Sequence, residues 1–172
     1  MNILFLCGVI ESIPGFKKGE ELKTIEAVLL VPDAHGEKIF KVPLVSRNEA
    51  VIKKMSKLKR YDLIFISGTV TENALLVDSV SQIGRYQNKE GAFKRLYEIS
   101  PINQGLLAGE LISYNKDLNE AIVSIKRDAD HFYGSLKEED ILHVRTRKTI
   151  RAGDKYISLP IRLDDGVLVS DR

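Results

Sequence analysis

The order of pieces in the first half of the chain limits its fold more than any other feature. MNILFLCGVI (residues 1–10), IEAVLLVP (25–32) and IFKVPLV (39–45) are apolar runs of strand length. In SRNEAVIKKMSKLKR (46–60), Val51, Ile52, Met55 and Leu58 fall on one helical stripe. Two more apolar runs follow, YDLIFISGTV (61–70) and ALLVDSVSQI (74–83). Turn chemistry separates the pieces, with Pro32-Asp33-Ala34-His35-Gly36 between the second and third and Glu72-Asn73 before the last. Residues 14–21, with two glycines, a proline and two lysines, read as a loop.

Strand, strand, strand, helix, strand, strand is the order of an OB-fold, a five-stranded barrel with one helix. Such barrels hold single-stranded nucleic acid or small ligands on an open face. Ser46 and Glu49 have the spacing of a capping box for the helix. Both faces of the first strand are apolar: Ile3, Phe5, Cys7 and Val9 on one, Leu4, Leu6, Gly8 and Ile10 on the other. A barrel strand needs one apolar face, so another domain or subunit is expected over the second.

Residues 85–102 read as a linker with a short helix, since Phe93, Leu96 and Tyr97 are helically spaced. The chain then echoes itself. NQGLLAGELIS (103–113) resembles NILFLCGVIES (2–12), and EAIVSIKRD (120–128) resembles EAVLLVPDA (26–34). EDILHVRTRKTIRAG (139–153) can be laid on YDLIFISGTVTENA (61–74), which leaves the second copy without a clear third strand. A short helix is expected near residues 133–139. The organisation read here is mainly β and tandem: an OB-fold domain (1–84), the linker, and a second OB-like β domain (103–172). That second domain is open to two readings, a complete barrel or a shortened one.

The first 84 residues resemble the bacterial single-stranded DNA-binding protein family. Asn2, Leu4, Leu6, Gly8 and Ile10 follow the family's opening pattern of alternating apolar residues with a glycine. The helix over 50–58 and the strand carrying Ile64, Ile66, Gly68 and Val70 follow its helix and fourth strand. The resemblance implies binding of single-stranded DNA and, for a two-barrel member, pairing as a homodimer. The chain departs from the family in three places. Val45 stands where a stacking aromatic is usual, the turn around Glu72 replaces a long hairpin, and the chain stops at VLVSDR without a glycine-rich acidic tail. A phage or mobile-element relative, or another replication or recombination accessory protein, fits these departures.

Single-strand binding needs cations for phosphates and flat rings for bases. The candidates are Phe16 with Lys17 and Lys18 on the first loop, Phe40 with Lys41 on the third strand, and Arg47 after it. The most basic stretch adds Arg145, Arg147, Lys148, Arg151 and Lys155, with Tyr156 after the Gly153-Asp154 turn. On a β-hairpin, Arg145 and Arg147 would share one face. Lysines of the helix read as a solvated face. Asp164-Asp165-Gly166 reads as a hairpin turn.

The net charge of +2 neither demands nor excludes nucleic acid, which requires local basic clusters. His35, His131 and His143 lack ligand spacing, Asp128 and Asp130 lack a calcium-loop sequel, and no P-loop is present. Neither an enzyme nor a cofactor or metal is expected. One cysteine precludes an internal disulfide, the first segment reads as a strand rather than a signal peptide, and no apolar run approaches the roughly 20 residues of a membrane span. A cytoplasmic protein is expected. The main reading is binding of single-stranded DNA, with RNA as a lesser option, in replication or recombination. The alternative is an oligomerisation or adaptor module that has lost nucleic-acid binding and contacts a protein through Leu63 and Phe65.

Overall fold

The computed structural model describes residues 1–12, 15–16, 24–126, 139–151 and 153–170. Within them the protein is mainly β. The first half contains β1 (Asn2–Ile10), the two-residue β2 (Gly15–Phe16), β3 (Ile25–Pro32), β4 (Ile39–Ser46), α1 (Glu49–Met55), β5 (Leu63–Val70) and β6 (Leu75–Gly84). β1 pairs antiparallel with β3 and β5, β3 with β4, and β5 with β6, while a parallel β4–β6 pair closes the ring. This is a closed five-stranded barrel. Inward residues such as Leu4, Leu6, Leu29, Leu44 and Ile66 fill it, and the strand alternation of β4 is nearly perfect.

Helix α1 closes one end of this barrel with Val51, Ile52 and Met55. Its cap differs from the expected box. Asn48 is the N-cap, accepting from the backbone N–H of Ala50 at 3.0 Å and of Val51 at 3.2 Å. Ser46 is fully buried in β4, where its hydroxyl donates to the Val77 carbonyl at 3.0 Å. A serine inside the ladder is already committed to a strand neighbour, so Asn48, two residues on and just before the helix, takes the cap.

The second apolar face of β1 is covered from within the chain. Helix α2 (Lys89–Glu98) lays Ala92, Phe93 and Leu96 over Cys7, Val9, Leu30 and Leu63. This corrects the expectation of a separate domain or subunit at that face, and of an outward Leu63, which is fully buried. Phe65 is half-buried and stacks on Phe5, with ring centroids 6.2 Å apart.

The second half holds β7 (Asn103–Asn115), β8 (Glu120–Lys126), β9 (Glu139–Thr146), β10 (Tyr156–Asp164) and β11 (Val167–Ser170). β7 pairs antiparallel with β8 and β10, β8 with β9, and β10 with β11, while a parallel β9–β11 pair closes the ring. The topology is that of the first barrel, strand for strand. The third strand missing from the sequence reading is therefore β9 itself, EDILHVRT, and the fourth is β10. In sequence EDILHVRT fits the fourth strand equally well, because apolar alternation is the same in any half-buried strand. The helix expected near 133–139 falls on residues outside the described set, apart from Glu139, which opens β9.

β1 and β7 join the barrels antiparallel, from Asn2↔Leu107 to Leu6↔Asn103. The arrangement repeats about a pseudo-two-fold axis beside Leu4 and Gly105. Asn2 clasps the backbone of Val70 with two hydrogen bonds, at 2.7 and 3.0 Å. Asn103 clasps Leu163 in the same way, at 2.6 and 2.9 Å. Cys7 N–H donates to the Ile102 carbonyl, and Ala108 N–H to that of Met1. At the far ends, Ile10 N–H donates to the Asp62 carbonyl and Leu111 N–H to that of Lys155.

Candidate nucleic-acid interface

A groove of about 690 Å³ opens where the barrels meet. The outer part of the third strand of each barrel, β4 and β9, forms its walls, and the turns after β5 and β10 form its rims. Both turns are tight. Thr71 N–H donates to the Ala74 carbonyl at 2.9 Å across the first. The second places Asp165 at φ 49° and Gly166 at φ 76°, the two left-handed residues that a two-residue hairpin loop requires. The first turn also reaches across to the other barrel: the Glu72 carboxylate accepts from Ile141 N–H of β9 at 3.0 Å.

Alternation decides which side chains face outward here. On β4, Lys41 and Pro43 project away from a barrel filled by Val42 and Leu44. On β9, Ile141, His143 and Arg145 project away from Leu142 and Val144. Lys41, His143 and Arg145 line the groove together. Lys41 pairs with Glu11 at 3.0 Å and stays mostly exposed. His143 Nδ1 lies 2.9 Å from Glu120 Oε1, on the neighbouring strand. The groove thus offers two cations and an imidazole beside Glu72 and Glu120, over an apolar floor that includes Leu4 and Val70.

The structure brings only some of the sequence candidates to this place. Lys41 and Arg145 are in the groove. Phe40 is not available, because its ring is buried in the first core. Phe16 lies in β2, paired with Ile25, while Lys17 and Lys18 are outside the described residues. Arg47 is half-buried between β4 and α1. Arg147, Lys148, Arg151 and Lys155 are exposed in the connection between β9 and β10, with the Lys148 ammonium donating to the Ser158 carbonyl at 3.3 Å. Tyr156 opens β10 and is 77% exposed.

The expected arginine hairpin does not form. β9 pairs with β8 and β11, and β10 with β7 and β11, so β11 lies between the two. Two strands that follow each other in sequence are here separated by one that comes later, which no local pattern reveals. Sequence reading passed over His143 as an ordinary strand residue. Its position two residues before Arg145, on the same outward face, was the available signal.

Comparison with solved structures covers the whole chain. The wild-type single-stranded DNA-binding protein from Thermus aquaticus superposes with a TM-score of 0.61 at 15% identity, over 100% of this chain and 91% of that one. Its R190A deletion mutant superposes equally well, with 14% identity and 92% of that chain covered. The fold is that of the Thermus aquaticus single-stranded DNA-binding protein. A small single-stranded DNA-binding protein from Streptomyces coelicolor matches 50% of this chain and 99% of its own, with a TM-score of 0.42 and 11% identity. No protein-family model matches the sequence, and no curated protein matches it. No described helix is long and apolar enough to cross a membrane.

Proposed function

We propose that the protein binds single-stranded DNA with little sequence preference, in replication or recombination. The supporting observation is the end-to-end likeness in fold to a single-stranded DNA-binding protein, combined with a groove between the third strands of both barrels that brings Lys41, His143 and Arg145 together. OB barrels use their second and third strands and the adjoining loops for oligonucleotides. The action is passive: Lys41 and Arg145 neutralise phosphates, and bases lie against the imidazole of His143 and the apolar floor. With Phe40 sealed in the core, phosphate contacts outweigh stacking, so binding is strongly salt-dependent. RNA enters the same groove if the 2′-hydroxyl is not excluded. The working assembly in this reading is a homodimer.

Fluorescence anisotropy with labelled oligothymidine, at low and moderate salt, tests the reading. Binding should weaken steeply with salt, and Arg145→Ala should lower the salt slope by about 0.7, the loss of one phosphate contact on a single strand. Absence of salt-sensitive binding at low ionic strength would sink the proposal. The adaptor alternative drew on the doubly apolar first strand and on Leu63 and Phe65 as contact residues; α2 covers that strand face, with Leu63 buried and Phe65 packed at its edge.

A further inference from the structure

The overall charge of +2 conceals a strong segregation. Residues 50–60 hold five cations and no acid, and residues 147–155 hold four cations and one acid. Everything else holds 17 cations against 23 acids. The two basic segments differ locally, one being α1 with its exit and the other an irregular connection. Yet both join the third strand of a barrel to the fourth, so the pseudo-two-fold axis relates them. Both stand at the far ends of the molecule. The fourth strands begin beside the outer ends of β1 and β7, through the Ile10–Asp62 and Leu111–Lys155 hydrogen bonds, while the inner ends of β1 and β7 pair at the axis.

Their apolar residues explain each segment's fold. Val51, Ile52 and Met55 close the first barrel, and Ile150 packs on the second core. Burial does not explain the cations, which are exposed at both ends: Lys53, Lys54 and Lys57 on one, Arg147, Lys148 and Arg151 on the other. In each barrel the strand that lines the central groove, β4 or β9, runs directly out into the basic segment. A polyanion that leaves the groove along either third strand therefore meets a cationic end.

We infer that the two basic ends are phosphate-binding sites for one continuous single strand, which crosses the groove and rests on both. This rests on the single-stranded DNA reading and extends it, because α1 becomes part of the binding track rather than a solvated face. A strand long enough to reach both ends is held by the groove and by two clusters of cations, and a short one by the groove alone. Binding sites of roughly 4–16 nucleotides per OB barrel make about 8 nucleotides a groove-sized probe and about 40 a spanning one.

The test uses the full chain and two charge-neutral variants, K53Q/K54Q/K57Q and R147Q/K148Q/R151Q. Each is titrated with oligothymidines of about 8 and about 40 nucleotides across a salt series. Each variant should reduce the salt slope for the long strand by about 2, at about 0.7 per cation, and leave the short strand unchanged. Unchanged melting temperatures establish that the variants are folded. Equal losses for both lengths, or no loss for the long strand, would overturn the inference. So would a loss seen with duplex DNA but not with the long single strand. If the unmodified protein shows no salt-sensitive binding to either oligonucleotide, the single-stranded DNA reading itself fails, a result separate from the others.

Discussion

Asn2 and Asn103 do the same work in the two barrels. Each sits at the start of a first strand and gives and takes one hydrogen bond with the backbone near the end of a fourth strand, Val70 or Leu163. Both clasps are part-buried. Asn2→Ala and Asn103→Ala should each destabilise the protein by about 1–3 kcal/mol in denaturant unfolding, because an amide and a carbonyl lose their partners. A difference near zero at either position would show that the clasp is incidental. Gly105 is constrained in another way: a Cβ there would stand 2.1 Å from the Ile3 carbonyl oxygen, across the joint between the barrels. Only glycine lets β1 and β7 approach at the axis. Gly105→Ala should therefore loosen the joint, seen as faster amide exchange along residues 2–6 and 103–107. Unaltered exchange there would mean that the strands shift at little cost.

Helix α2 is the element whose meaning changed most between sequence and structure. It is a cover for the outer face of β1 and β5, held by Phe93, Leu96 and Ala92. Leu96→Ala should cost about 2–5 kcal/mol by transfer and cavity terms and should speed alkylation of Cys7, which lies beneath the helix. Unchanged Cys7 reactivity would place the cost elsewhere. Burial pushes the Cys7 thiol above its ordinary value, against a smaller lowering from the Ile102 backbone. The sign follows by linkage: the folded state holds the proton longer than the unfolded one, so stability is untouched below the ordinary thiol range. It then declines as pH rises from that range toward the raised value. Cys7→Ala should remove this alkaline decline, measured as unfolding midpoints against pH. A persistent decline in the variant would assign it to another group.

At the scale of the whole molecule, the two barrels act as one sheet. The eleven strands among the described residues are linked through the β1–β7 pair. Removing the second barrel bares the β1 edge from Asn2 to Leu6, with its N–H and C=O groups unpaired. A chain ending at residue 102 should therefore self-associate, visible by light scattering as a species of at least twice the monomer mass. A stable monomer would show that the edge protects itself. The groove depends on the same joint, since Lys41 comes from one barrel and His143 and Arg145 from the other. The truncated chain keeps Lys41 but lacks His143 and Arg145, so it should bind oligothymidine more weakly than the full chain in the same anisotropy titration.

The order of amino acids was enough to define the first barrel, because five apolar strands and a helix in that order, with turn residues between them, satisfy one closed topology. It also determined the existence of a second β unit, through the echo of the first two strands. Long-range pairing decided the rest. Whether EDILHVRT is a third or a fourth strand depends on its partners, β8 and β11, and period-2 alternation is the same in either place. Phe40 could stack or pack, and only the register of β4 against β3 turned its ring into the core. Single groove residues such as Lys41 and Arg145 could be picked out in the sequence, but their meeting could not. These cations lie a hundred residues apart, and they meet only because β1 pairs with β7 and sets two barrels about one axis.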